Sequence, residues 1–201
     1  MTEFDMALAG ETCWLELSDG ARIPLPVERW RATPDPSDEM MLAHCAGPTL
    51  DIGCGPGRLA SALSKRGVPV LGVDTSPVAI RMTLARGAVA LRRSVFDCLP
   101  GEGRWHTALL ADGNIGIGGD PVTLLRRIRD LLSPQGKAIV EVDPPGVPVH
   151  HHRVRLNGTG TWFPWAWLGA DGVEQTANAA GLDRRWTASS GDRWFTELVP
   201  A

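Results

Sequence analysis

The sequence predicts a doubly wound α/β fold, an open parallel sheet with helices on both faces. Three observations carry that prediction. Strand-like and helix-like segments alternate from residue 49 to residue 142. The strand-like runs, such as "PVLGV" (69–73), are continuously apolar rather than alternating, which marks strands covered on two faces. The helix starts are written as a capping side chain followed by proline, at Ser76-Pro77 and Asp120-Pro121. The cap accepts from free backbone N–H groups, and a proline at the first helical position gives up no hydrogen bond.

Taken in order, "CWLELSDGARIPLPV" (13–27) reads as a short hairpin turning at Ser18-Asp19-Gly20. It sits in an N-terminal accessory segment, residues 1–35. "PSDEMMLAHCAG" (36–47) reads as a short helix with Ser37 as N-cap and Gly47 just past its end. The main series follows: strand 49–52, helix 57–66, strand 69–73, helix 77–86, strand 88–92, strand 106–111, helix 121–132 and strand 137–142. Within helix 121–132, Val122, Leu125, Ile128 and Leu132 form a core-facing stripe. Then "VHHHRVRL" and "TWFPWAWL", separated by Asn157-Gly158-Thr159-Gly160, form a hairpin inserted at about residues 148–168. A helix at 170–180 and strands near 183–188 and 193–198 complete a main domain over residues 36–201.

A chain of 201 residues is long enough for one domain with a sizeable core. The net charge of −3 argues against a dominant role in binding polyanions, so a nucleic-acid partner is not expected. No run approaches the roughly 20 apolar residues that span a bilayer, and "MTEFDMALAGETCW" has no basic region of the signal-peptide kind. Cys13, Cys45, Cys54 and Cys98 show no CxxC spacing. Reduced thiols, a cytoplasmic location and no zinc site are the expectation.

The stretch "PTLDIGCGPGRLASAL" (48–63) runs from strand to glycine cluster to helix, with Gly53, Gly55 and Gly57 within five residues. Such a cluster suits a ligand lying close to the backbone, or simply a tight turn. A dinucleotide fingerprint needs a third glycine where Arg58 stands, and a phosphate loop needs a GK[ST] that is absent.

What remains, "LDIGCGPGR", resembles motif I of the S-adenosylmethionine-dependent methyltransferases of the Rossmann-like kind. Three further features fall in that family's order. "LGVDTS" ends a strand with Asp74, where the family places an acid that accepts both ribose hydroxyls, with Thr75 beside it. "SVFDCLP" offers Phe96 and Asp97 where the family holds adenine, with Phe96 or Val95 lining the ring. "ALLADGNIGIGG" ends the fourth strand of the series beneath the sulfonium. The resemblance spans residues 48 to about 143. It implies a seven-stranded sheet of order 3-2-1-4-5-7-6 with the last strand antiparallel, and S-adenosyl-L-methionine as cofactor. The implied binding set is Asp51, which organises the loop and reaches the cofactor's amino group, with Gly53, Cys54, Gly55 and Gly57 of the loop. Asp74, Thr75, Phe96, Asp97 and Asp112 complete it.

Methyl transfer from a sulfonium is an in-line displacement, so alignment rather than a catalytic dyad is the main requirement. Asp112 and Asn114 are the candidate catalytic residues. Asp112 would orient an acceptor or the methionine part of the cofactor, or else cap its own turn. The loop "GNIGIGGDP" suggests close backbone approach to a ligand. "DPPG" (143–146) reads as a turn. His150, His151 and His152 cannot all converge from one strand, and no metal site is expected. Trp162, Phe163, Trp165 and Trp167 fit core packing, a homodimer interface or the wall of an acceptor pocket; Trp165 and Trp167 share a face unless Pro164 shifts the register. His44 and Trp30 lie in a segment placed to lid the cofactor. The expected partner is a small-molecule methyl acceptor.

Overall fold

The computed structural model describes residues 3–201. Seven strands form the central sheet: β3 (Thr49–Ile52), β4 (Val70–Asp74), β5 (Val89–Arg92), β6 (Trp105–Leu110), β7 (Leu132–Val142), β10 (Leu182–Ser190) and β11 (Arg193–Pro200). Their order is β10-β11-β7-β6-β3-β4-β5, and β11 runs antiparallel to both of its neighbours. Counted along the sheet this is the 3-2-1-4-5-7-6 arrangement, as expected.

Strand alternation splits the apolar runs between two cores. Leu50, Ile52, Ala108 and Leu110 pack on α6 (Pro121–Leu131) and α7 (Val173–Ala180). Leu109, Ile139 and Phe195 face α3 (Pro36–Ala43) and α4 (Arg58–Lys65) on the other side. A strand with both faces buried has no room for a polar alternation, which is why its sequence reads as continuously apolar. On α6 the buried stripe is Leu124, Leu125, Ile128 and Leu131, shifted from the expected set by two positions at its start and one at its end. Val122 is only half-buried, and Leu132 already belongs to β7.

Ser76 and Asp120 cap α5 (Pro77–Ala85) and α6 as predicted, each accepting from first-turn N–H groups. The cap of α3 is a correction. Asp35, not Ser37, accepts from Asp38 N–H, while Asp38 returns a bond to Asp35 N–H. Two carboxylates form the reciprocal box, and Pro36 takes the first helical position. Ser37 instead donates to the Ser190 carbonyl at 2.9 Å.

The N-terminal hairpin and the inserted hairpin are joined. β1 (Trp14–Leu17) pairs with β2 (Arg22–Pro24) and also with β8 (His150–Leu156), which pairs with β9 (Phe163–Trp167). The result is a four-stranded antiparallel sheet, β2-β1-β8-β9, with its own apolar cluster of Cys13, Leu15, Leu17, Val154 and Leu156. Two short helices, α1 (Asp5–Leu8) and α2 (Val27–Arg31), flank it. Neither hairpin could bury its apolar face alone; paired, they roof the carboxyl ends of the central strands. Among the described residues no helix is long and apolar enough to cross a membrane.

Candidate functional site

Between the strand tips and this roof lies a cavity of about 470 Å³. That volume is of the size that holds small ligands. Its floor comes from the ends of β3, β4, β6 and β7, and its roof from α1, α2, β2 and β9.

The three glycines of the loop answer to three different needs. All have positive φ, at 68°, 51° and 81° for Gly53, Gly55 and Gly57, a region that L side chains rarely adopt. At Gly53 a Cβ would lie 2.6 Å from Asn114 Nδ2. At Gly57 it would lie 2.7 Å from Thr83 Oγ1, so this glycine lets α4 approach α5. Only at Gly55 does the space open, with nothing nearer than Leu8 at 3.9 Å. Gly53 and Gly55 line the cavity, whereas Gly57 does not. Cys54 turns its thiol toward Thr83, 3.7 Å away, and can offer the cavity little beyond backbone.

Asn114 donates from one amide nitrogen to the carbonyls of Ile52 and Gly53, at 2.9 and 3.0 Å. It therefore fixes the strand-to-loop corner and acts as a positioning residue. Asn114→Ala would leave both carbonyls without that donor. The expected loss is about 1–3 kcal/mol of stability, measured by urea unfolding, together with weaker ligand binding at the loop.

Asp51 is buried at the end of β3 and accepts from Ala60 N–H at 3.1 Å, holding the first turn of α4 in place of a side-chain cap. Burial pushes its carboxyl up to about 7; the Arg58 charge and the Ala60 N–H pull it down, and Asp112 and Asp74 push further up. Asp74, at the tip of β4, accepts from Gly55 N–H (3.0 Å) and Ser76 N–H (2.8 Å). Burial raises its carboxyl too, against those two N–H groups. Thr75, Ser94 and Val95 continue the lining beyond it.

Phe96 and Asp97 lie outside the lining, contrary to expectation. Asp97 turns back to accept from Ser94 N–H at 3.1 Å within its own turn. Phe96 is 42% exposed and covers Gly118. Val95, the other residue considered for the ring position, faces the cavity instead.

Asp112 has a left-handed backbone, φ 55°. One carboxylate oxygen takes Arg29 (2.9 Å) and the other takes Arg58. Arg58 also pairs with Asp38, which is fully buried, and Asp38 pairs with Arg193 at 2.8 Å. Arg193 grips Glu141 through two bonds of 2.7 and 2.8 Å, and Glu141 accepts from Asp112 N–H. This chain of charges ties α2 of the roof to α3, α4, β7 and β11. Asp112 is a latch and not a free base. Arg29, Arg193 and Glu141 were not visible from sequence as site residues. Glu141 alone carried a signal, as a charged residue directly after the apolar run Ala138–Val140.

The glycine-rich loop after β6 forms two 3₁₀ turns over Asn114–Gly119. Gly113 and Gly118 line the cavity. Gly116 and Gly119 serve packing: a Cβ there would lie 2.3 Å from the Ala166 carbonyl and 2.5 Å from Pro164. The close backbone approach at those two positions is therefore to β9. Pairing across β8 and β9 is unbroken through Arg153↔Pro164, so Pro164 shifts no register. Phe163, Trp165 and Trp167 line the cavity, while Trp162 lies under the Arg155 guanidinium at 4.6 Å. Trp30 lines the cavity as well. His44 does not, packing on Trp186 instead.

Residues 42–187 match the family described as "Methyltransferase domain". A ubiquinone biosynthesis O-methyltransferase of Azorhizobium caulinodans is 28% identical over 157 residues, covering 76% of this chain and 53% of that protein. The chain thus spans about half the length of this curated relative. A SAM-dependent methyltransferase of Bacteroides fragilis, solved with S-adenosyl-L-homocysteine, superposes with a TM-score of 0.79 at 20% identity, covering 99% of this chain and 93% of that one. A 1,6-didemethyltoxoflavin-N1-methyltransferase of Burkholderia thailandensis, solved with its substrate and S-adenosylhomocysteine, gives 0.63 at 20% identity, covering 81% and 76%. With the strand order, the glycine loop and the roofed cavity in agreement, the chain belongs to the methyltransferase-domain family.

Proposed function

We propose that the chain transfers a methyl group from S-adenosyl-L-methionine to a small-molecule acceptor. The observation that carries this reading is the carboxylate of Asp74, set at the tip of β4 beside the open face of Gly55. The residues present fit the cofactor. Asp51 and Asp74 are carboxyls whose burial favours the neutral acid. Hydroxyl donors and an ammonium group would restore what burial removes.

When bound, the cofactor supplies a methyl group on a sulfonium, ready for in-line displacement. In this reading Asp74 accepts from the ribose hydroxyls and Asp51 holds the amino group. Val95 lies against the adenine, and Gly55 gives the backbone clearance. The Arg29–Asp112 pair fastens the roof over the reacting groups and keeps water out. Asn114 holds the loop in register for all of them. Of the relatives named above, one is an O-methyltransferase of ubiquinone biosynthesis and one an N1-methyltransferase with 1,6-didemethyltoxoflavin bound, which supports a small-molecule acceptor.

Asp74→Ala is expected to weaken S-adenosylhomocysteine binding at least tenfold in titration calorimetry; unchanged affinity would remove the ribose assignment. Incubation with methyl-labelled cofactor and a metabolite extract separates turnover from binding. Label on any product supports transfer, and label retained on bound cofactor supports a binding protein without turnover.

A further inference from the structure

Among the described residues Asp51, Asp74 and Asp143 line the cavity without an ion pair, and of these Asp143 is the one that the proposed cofactor contacts leave unused. Along the sheet the strand tips run β5, β4, β3, β6, β7. The proposed cofactor contacts fall on the first three, so the tips of β6 and β7 flank the space beyond the sulfur. Glu141 of β7 and Asp143, the residue just past the strand's end and bridged to Gly169, stand two residues apart, an even spacing that in extended chain sends both side chains to the same side. Both line the cavity. Glu141 is neutralised by Arg193, and Asp112 at the neighbouring tip by Arg29 and Arg58. Asp143 forms no ion pair among the described residues; a Leu168 N–H is the group that draws its carboxyl down. Burial acts first and in the opposite direction, and Glu141 adds to it, so the acid stands above its ordinary range.

The same cavity has aromatic walls. Asp143 N–H donates to the Leu168 carbonyl at 2.9 Å, which seats the end of β7 next to Trp167, the last residue of β9. Trp165 and Phe163 follow at alternate positions on the same strand. Phe4 packs on both, with ring centroids 5.7 and 5.6 Å away. Ile23 and Leu25 add an apolar edge.

We propose that this end of the cavity selects an amine carried on a flat, apolar body, with Asp143 holding the ammonium group. The proposal rests on the methyl-transfer reading above. An unpaired, half-buried carboxylate in a cavity with aromatic walls is costly to close over unless a cation arrives with the ligand. Aromatic faces attract the same cation. An anionic acceptor is repelled by Asp143, and a neutral alcohol fills the walls while leaving the charge unbalanced. Asp143 is also placed to take the proton that an ammonium must shed: the N–H bond breaks, an O–H bond forms, and the electron pair stays on nitrogen.

Three indole probes of one shape test this by calorimetry on protein saturated with S-adenosylhomocysteine: tryptamine, tryptophol and indole-3-propionate. Tryptamine is expected to bind at least tenfold tighter than tryptophol, with the propionate weakest. Asp143→Asn should bring tryptamine within threefold of tryptophol, by weakening the amine and tightening the alcohol, and leave the affinity for S-adenosylhomocysteine within twofold of wild type. Tryptophol or the propionate binding as tightly as the amine, no measurable binding of any probe, or an amine preference that survives Asp143→Asn would overturn the proposal. Should the variant fail to fold, the wild-type ranking of the three probes still decides. S-adenosylhomocysteine is titrated first. Its failure to bind would sink the methyl-transfer reading and this proposal together, whereas its binding without an amine preference sinks this proposal alone.

Discussion

Arg58→Met is expected to destabilise the fold by about 3–5 kcal/mol, roughly a 10 °C fall in melting temperature for a domain of this size. The arginine side chain is 3% exposed and pairs with Asp38, which is 0% exposed, and with Asp112. Methionine fills similar volume but leaves a carboxylate without its closest cation. A replacement that strands a buried charge costs far more than one that removes both partners. The pH dependence carries a second signature. Burial alone would raise the Asp38 acid, but bonds from Arg58, Asp35 N–H and Arg193 outweigh it and hold the carboxyl below its ordinary value. A depressed carboxyl adds stability that is whole above the ordinary carboxylate range and is lost only as pH falls through the folded value. Without Arg58 burial gains ground, and Asp38 takes a proton more readily in the fold. The stability gap between wild type and Arg58→Met should therefore narrow as pH is lowered from 7 toward 4. Urea unfolding at several pH values measures both effects; a loss under about 1 kcal/mol would mean the network does not hold the domain together.

Cofactor affinity should rise about tenfold between pH 6 and pH 8, and Asp51→Asn should abolish that slope. With the Asp51 carboxyl at about 7 in the free protein, a proton must leave before the carboxylate can pair with an ammonium group. Below that value each pH unit costs about a factor of ten, and above it almost nothing. The free protein shows the opposite sign. A carboxyl raised on folding adds stability that is full below the ordinary carboxylate range and is lost as pH rises through about 7. Calorimetry in buffers of different ionisation enthalpy should detect close to one proton released per S-adenosylhomocysteine bound at pH 6, and none in Asp51→Asn. A flat pH profile in wild type would show that the Asp51 charge plays no part in binding.

The central sheet was legible because its information is local. Caps at Ser76 and Asp120, continuous apolar strands and a glycine corner each follow from a few neighbouring residues. That Asp51, Gly53, Gly55, Asp74 and Thr75 face the cavity was likewise readable, since they stand at strand ends where the backbone itself sets their direction. The rest of the site depends on contacts far apart in sequence. Arg29 reaches Asp112 across 83 residues, and Arg193 reaches Asp38 across 155. No spacing rule encodes such a pairing. The same holds for the roof, where Leu15 of the first hairpin pairs with Leu156 of the second. Asp97 shows a different case: its residue type suits a ligand contact, but one oxygen of the carboxylate closes its own turn and the residue lies outside the cavity lining, a placement set by the loop rather than by residue type. The glycine-rich loop read as a place of close approach to a ligand, and at Gly116 and Gly119 what approaches is β9 instead.

The most direct test of the whole account is a crystal structure of the protein soaked with S-adenosylhomocysteine. The account predicts an adenosine lying over the ends of β3, β4 and β5, its ribose hydroxyls on the Asp74 carboxylate and its amino group at Asp51. Density for the thioether elsewhere, or a crevice that stays vacant at saturating ligand, would contradict it.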